Sequence, residues 1–184
     1  VADVLRGRGL PLVVDPVRVA TVGTQTGLLR DEARDVMLNE LAPLATLLTP
    51  NLREAAWLTG REVGSLPQMR DAARALVDLG APAVLVKGGH LAFTSDHPAI
   101  DVLLLDGSLH ELHADRVDTP AGHGTGCSLA SAIASHLALG QTLEQAVILG
   151  KEWVRRGLAS APPLGGGAWP IDHFAPVPQE KRAG

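Results

Sequence analysis

Residues 45–89 read ATLLTPNLREAAWLTGREVGSLPQMRDAARALVDLGAPAVLVKGG, and this stretch decides the fold. It opens on a short apolar strand, Ala45-Thr46-Leu47-Leu48, stopped by Thr49-Pro50-Asn51. A helix follows from Asn51 and carries Ala55, Trp57 and Leu58 to a stop at Gly60. Ser65-Leu66-Pro67-Gln68 reads as a capping box with proline in the first turn, where the missing N–H has no intrahelical partner to lose. Met69, Ala73, Leu76 and Val77 then share one helical face, and Gly80 closes it. Ala83 to Val86 is the next buried strand, delivering Lys87-Gly88-Gly89-His90 at its end. Strand, helices, strand in that order predicts a parallel βαβ crossover.

Working outward, Leu12-Val13-Val14 is a further short strand ending at Asp15-Pro16, and Asp31 is placed to cap a helix running to about Leu41. Downstream, Asp101–Leu105 and Leu109–His113 flank Asp106-Gly107-Ser108, a hairpin signal. That predicts an antiparallel addition at one edge of the sheet. After the glycine-rich run Gly122–Gly126, an Ala- and Ser-rich helix is expected from Cys127 to Leu139. Thr142 to Gln145 is a second capping box, opening a helix to about Leu158. The expected architecture is a three-layer αβα fold with a mostly parallel sheet. No internal repeat or second domain is read: residues 1–174 form one domain, and 175–184 are expected to be a disordered tail.

Composition narrows the function classes. Apolar residues make up 46% of the 184 and charged residues 20%, an ordinary globular balance. With three Trp, two Phe and no Tyr, the core must be built from Leu, Val and Ala. A net charge of -4 argues against a nucleic-acid partner, which usually meets a basic stripe. The local cluster Lys151, Arg155 and Arg156 sits at helical spacing among apolar residues and is read as a solvated helix face. The single cysteine, Cys127, excludes an internal disulfide framework and fits a reducing cytoplasm. No apolar run reaches the length of a membrane span, so no membrane partner is expected.

Chemistry is expected beyond the carboxyl ends of the strands, where open α/β sheets bind ligands. Asp15 follows one strand, Asn51 and Glu54 the next, and Lys87 the third. Asn51 and Glu54, three apart at a helix start, either face a shared cleft or cap the helix. The strongest single feature is Gly122-His123-Gly124-Thr125-Gly126-Cys127. Its glycines let successive N–H groups converge on an anion, and the helix that follows adds its positive end. No Gly-Lys-Ser or Gly-Lys-Thr follows, so this is no Walker A loop, and the glycine spacing is not that of a dinucleotide site. At a helix N-terminus the Cys127 thiolate is expected to be stabilised, which leaves structural and catalytic roles both open. His110 and His113 fall on opposite faces of a strand and make a poor zinc pair. The absence of a G-x-S-x-G elbow speaks against a serine hydrolase.

Val13-Val14-Asp15-Pro16-Val17, Leu48-Thr49-Pro50-Asn51-Leu52-Arg53-Glu54-Ala55, Val86-Lys87-Gly88-Gly89-His90 and His123-Gly124-Thr125-Gly126-Cys127 follow in the order and spacing of a known family. The sequence resembles the hydroxymethylpyrimidine and hydroxymethylpyrimidine-phosphate kinases of thiamine biosynthesis, within the ribokinase superfamily. Ile171-Asp172-His173 resembles that family's closing segment. The resemblance implies a ribokinase-like fold and phosphoryl transfer from Mg-ATP to a primary alcohol on a pyrimidine ring. By the same resemblance Gly124, Thr125, Gly126 and Cys127 form the anion hole, and Cys127 assists deprotonation of the hydroxyl or holds the transferring group. Asp15 and Glu54, with Asn51 nearby, would organise Mg²⁺; Lys87, with Asn51, Glu54 and Thr125, would serve ATP. Asp15, Val17 and Cys127 would meet the substrate.

The chain departs from the family at Arg18, where the family has Met, and at Thr21-Val22-Gly23-Thr24, in place of a Lys-Ser-Gly-Asp run. It also enters the family pattern partway, so the opening third, with its glycine- and serine-rich substrate motif, is expected to be missing. Two other readings stand beside this one. A pyridoxal kinase also uses a Gly-Thr-Gly turn, and a degenerate nucleotide-binding module would lack turnover. The cysteine after the turn favours the pyrimidine kinase. Association as a homodimer is left open.

Overall fold

The computed structural model describes residues 1–18, 32–89, 98–164 and 169–175. Asp31, Thr21–Thr24, His90 and the tail from 176 onward lie outside the described residues. A short helix, α1 (Ala2–Leu5), precedes β1 (Val13–Val14). Helix α2 (Ala33–Val36) runs into wider π-type turns over Met37–Leu41 and a 3₁₀ turn over Ala42–Leu44, with Pro43 in that turn. Then come β2 (Leu47–Leu48), α3 (Leu52–Thr59), α4 (Leu66–Asp78) and β3 (Val84–Val86). The hairpin β4 (Ala99–Leu105) and β5 (Ser108–Ala114) follows, then β6 (Ala121–His123), α5 (Thr125–Ala138), α6 (Leu143–Ala159) and β7 (Trp169–Pro170).

β1, β2 and β3 are parallel, with Val14 beside Leu48 and Leu48 beside Val84. β4 joins β3 antiparallel and β5 closes the hairpin at the edge. Its turn has φ of 49° at Asp106 and 76° at Gly107, the two positive values that a tight two-residue connection demands. Side chains alternate across the strands and fill two cores. Leu48, Val84, Val86, Val102 and Leu104 face α3 and α4, where Ala55, Leu58, Met69, Ala73 and Leu76 meet them. Leu47, Leu85 and Leu103 face the other way, onto Leu129 and Ile133 of α5 and Ala146 and Val147 of α6. This is a three-layer α/β/α arrangement.

The helix starts are set by local hydrogen bonds. Asn51 accepts from the Glu54 N–H at 3.0 Å while Glu54 accepts from the Asn51 N–H at 2.7 Å. Thr142 and Gln145 form the same reciprocal pair. At Ser65 only half of the box forms, because the Gln68 side chain accepts instead from the Gly64 N–H at 2.9 Å. Sequence reasoning gave no sign of β7, whose short parallel pairing with β6 joins residues far apart in the chain. It is fastened further by the Asp172 N–H donating to the Gly157 carbonyl at 2.9 Å.

Candidate active site

The strand ends bring the polar residues into one row. An isolated parallel bridge continues the β2–β3 pairing to Asn51 and Lys87, with the Lys87 N–H donating to the Pro50 carbonyl at 2.8 Å. Asp15, one position past β1, stands beside them. Lys87 Nζ donates to Asp15 Oδ1 at 2.7 Å, and Thr49 Oγ1 reaches the same oxygen at 3.3 Å. The two charged side chains are only 13% and 12% exposed, so their attraction is far less screened than that of a surface pair.

α5 points its N-terminus at this pair. Gly124 caps it with φ of 81°, a value that suits glycine, and Thr125 Oγ1 donates back to the Gly122 carbonyl at 3.1 Å. A Cβ built on Gly126 would stand 3.1 Å from Lys87 Nζ and 3.9 Å from Asp15 Oδ2. The helix backbone therefore lies directly against the ion pair. The helix begins two residues earlier than expected, so Cys127 lies in its first turn.

A cleft of about 400 Å³ opens over this row. Asp15, Val17, Asn51, Glu54, Lys87, Gly124, Thr125, Gly126 and Cys127 all line it. Those are the residues singled out from the sequence, brought together from four stretches of chain. Asn51 and Glu54 do both things weighed for them, for they cap α3 and also face the cleft.

Sequence reasoning missed the far wall. Lys151 and Arg155 of α6 line the cleft, with Val154 and Leu158 between and beyond them. The reading of Lys151, Arg155 and Arg156 as a solvated helix face is corrected for Lys151, which is mostly buried, and for Arg155, which lines the cleft. Lys151 Nζ lies 2.5 Å from Asp101 Oδ2, and the two side chains are 14% and 10% exposed. Arg155 pairs along the helix with Glu152 at 2.7 and 3.0 Å. Helical spacing tells which face a residue occupies; it does not tell that β4 lies opposite with a buried Asp. Arg18, the departure noted at Asp-Pro-Val, places its guanidinium 5.4 Å from the centre of the Trp57 ring and does not line the cleft.

Burial pushes the Glu54 carboxyl above the usual range; the Asn51 N–H and the Lys87 charge oppose the shift, and the Asp15 charge adds to it. Cys127 also departs from expectation, because its thiol is pushed up rather than down. Lost hydration of the sulfur is the main cause, followed by the negative charge of Asp15 and a hydrogen bond to that carboxylate, with Lys87 opposing. A carboxylate at contact distance outweighs the partial charge of a helix end. Since the folded value is raised, the thiol form stabilises the fold below the ordinary thiol range, and this contribution is lost as pH rises through the Cys127 value. Iodoacetamide should therefore label Cys127 slowly at neutral pH, with a rate midpoint above that of a free thiol. Asp15→Asn should move that midpoint down. Mass-detected labelling across a pH series checks both, and a midpoint below the free-thiol range contradicts the assignment.

The family model for phosphomethylpyrimidine kinase matches residues 1–172. The chain belongs to the phosphomethylpyrimidine kinase family. The hydroxymethylpyrimidine/phosphomethylpyrimidine kinase of Streptomyces coelicolor is 46% identical over 174 residues, 94% of this chain and 62% of that protein. Its counterpart in Rhizobium meliloti is 44% identical over 177 residues, 95% of this chain and 65% of that protein. Among solved structures, the pyridoxal kinase of Staphylococcus aureus in complex with AMP-PCP superposes with a TM-score of 0.80 at 32% identity, covering 92% of this chain and 60% of that one. The fold of this phosphomethylpyrimidine kinase family member is thus ribokinase-like. The chain spans less than two thirds of the curated relatives it matches.

Proposed function

We propose that this chain carries the phosphoryl-transfer site of an ATP-dependent kinase acting on the hydroxymethyl group of hydroxymethylpyrimidine, of its monophosphate, or of both, in thiamine biosynthesis. One observation carries the reading: the Lys87–Asp15 pair abuts the Gly126 backbone at the α5 N-terminus, inside a cleft. A lysine and a helix end aimed at one spot suit the charge that spreads over a transferring phosphoryl group. The kinase names of the relatives, and the AMP-PCP bound by the S. aureus enzyme, support ATP as donor.

In this reading the N–H groups of Gly124 to Cys127 receive the transferring phosphoryl oxygens, and Lys87 neutralises the phosphates. The Cys127 thiol, protonated at rest and hydrogen-bonded to Asp15, sits where the substrate hydroxyl must lose its proton. The hydroxyl oxygen forms its new bond to phosphorus as the bond to ADP breaks, and its proton passes to the thiol–carboxylate pair. Val17 borders the same part of the cleft.

The acidic groups also suit a divalent cation. Asp15 and Glu54 bring two carboxylates against the single charge of Lys87, and Glu54 is raised by burial and by Asp15. Mg²⁺ bound through one or two carboxylates and water would neutralise phosphate oxygens there.

Lys87→Ala should weaken Mg-ATP binding by about 1–3 kcal/mol, the range for hydrogen bonds to charged groups. Calorimetry that finds no nucleotide affinity in the folded wild-type chain would refute the kinase reading. The substrate is tested by coupled ADP release with hydroxymethylpyrimidine and with pyridoxal, since solved structures as similar as 0.80 in TM-score are pyridoxal kinases. Preference for the pyrimidine supports the reading, whereas preference for pyridoxal replaces it.

A further inference from the structure

The turn that follows Lys87 is held on three sides. The Lys87 N–H donates to the Pro50 carbonyl, the Gly88 N–H donates to Asp101 Oδ1 at 2.8 Å, and Arg116 Nη1 donates to the Gly89 carbonyl at 3.1 Å. Of these anchors only Asp101 is a charged group inside the protein, at 7% exposure. A buried carboxylate is stable only when both oxygens are satisfied and its charge is offset. Oδ1 takes the Gly88 N–H; Oδ2 takes Lys151 Nζ, which also reaches the Ala99 carbonyl at 3.4 Å.

We propose that Asp101 and Lys151 are positioning residues: the pair locks the peptide after Lys87 and so fixes where the Lys87 amine stands in the cleft. The functional consequence rests on the kinase reading; the lock itself does not. Without Lys151 the Asp101 carboxylate keeps an uncompensated buried charge, and it turns toward water to be solvated. That movement loosens its hold on Gly88. Lys151 borders the cleft, yet its amine is engaged by protein acceptors on β4, so its influence on a nucleotide runs through Lys87.

Three chains test this: wild type, Lys151→Met, and the neutral double variant Asp101→Asn/Lys151→Met. Asparagine retains an oxygen for the Gly88 N–H and needs no counter-charge. Hydrogen exchange at the Gly88 amide in the nucleotide-free chain should speed up by roughly tenfold in Lys151→Met and return toward wild type in the double variant. Mg-ATP affinity should follow the same course, lost by about tenfold and then recovered. A lysine that touched the nucleotide itself would not be rescued by Asp101→Asn, so failure of rescue overturns the proposal. So does lost affinity with Gly88 exchange unchanged. If Lys151→Met does not fold, wild type and the double variant are compared directly, and lower affinity in the double variant overturns it. If wild type binds no nucleotide, the kinase reading fails separately, and the lock is decided by Gly88 exchange across the three chains.

Discussion

Turnover should fall about 10²–10⁴-fold when Cys127 is replaced by alanine, the usual contribution of a positioned acid–base group. Mg-ATP affinity should change far less, because the backbone N–H groups from Gly124 onward and the Lys87 amine remain. Cys127→Asp should retain more activity than Cys127→Ala, since it restores an ionisable group beside Asp15 and Lys87. A packing role forecasts the opposite order: alanine harmless, and aspartate destabilising through its charge. Cys127 is exposed as a residue, which already weakens the packing account. Steady-state kinetics and melting temperatures on the three chains separate the two. Wild-type turnover in Cys127→Ala would leave proton removal to Asp15 alone.

The largest stability effect is expected at Gly88. A Cβ there would stand 2.0 Å from the Ile100 carbonyl oxygen and 2.7 Å from Met69 Cε. The methionine end could swing away, but the carbonyl belongs to β4 and cannot move without opening the β3–β4 ladder. Gly88→Ala should therefore cost about 3 kcal/mol. For a chain of this size that lowers the melting temperature by roughly 6–12 °C. Gly89→Ala, with nothing within 4 Å of its Cβ, is the control. Equal melting temperatures for the two variants would contradict the packing described at Ile100.

These two positions illustrate what a sequence discloses. Lys87-Gly88-Gly89 was readable as a strand end with a ligand-facing lysine, because an apolar run into a polar glycine turn is a local pattern. That Gly88 is held by Asp101 was not readable, since the contact joins residues 13 apart and no local pattern couples them. The capping pairs Asn51–Glu54 and Thr142–Gln145 were legible for the same local reason, both partners lying within one turn. Lys151 was misread because its charge looked outward on a helical wheel, while the acid it meets lies 50 residues away. The Cys127 shift was missed because proximity of Asp15 to that helix end is a tertiary fact.

The order of strands in the main sheet, β1-β2-β3-β4-β5, is also their order along the chain. No described strand of that sheet has to be inserted between two others already paired. Each new strand can dock on an edge that its predecessor has just presented, so the sheet can grow in the direction of synthesis. The row of polar groups is laid down in the same sequence, Asp15 first, then Asn51 and Glu54, then Lys87. Gly126 and Cys127 come after the five described strands of that sheet, and Lys151 after them. On the kinase reading the cleft is therefore not walled until α6 has been made, because Lys151, Val154 and Arg155 complete its lining.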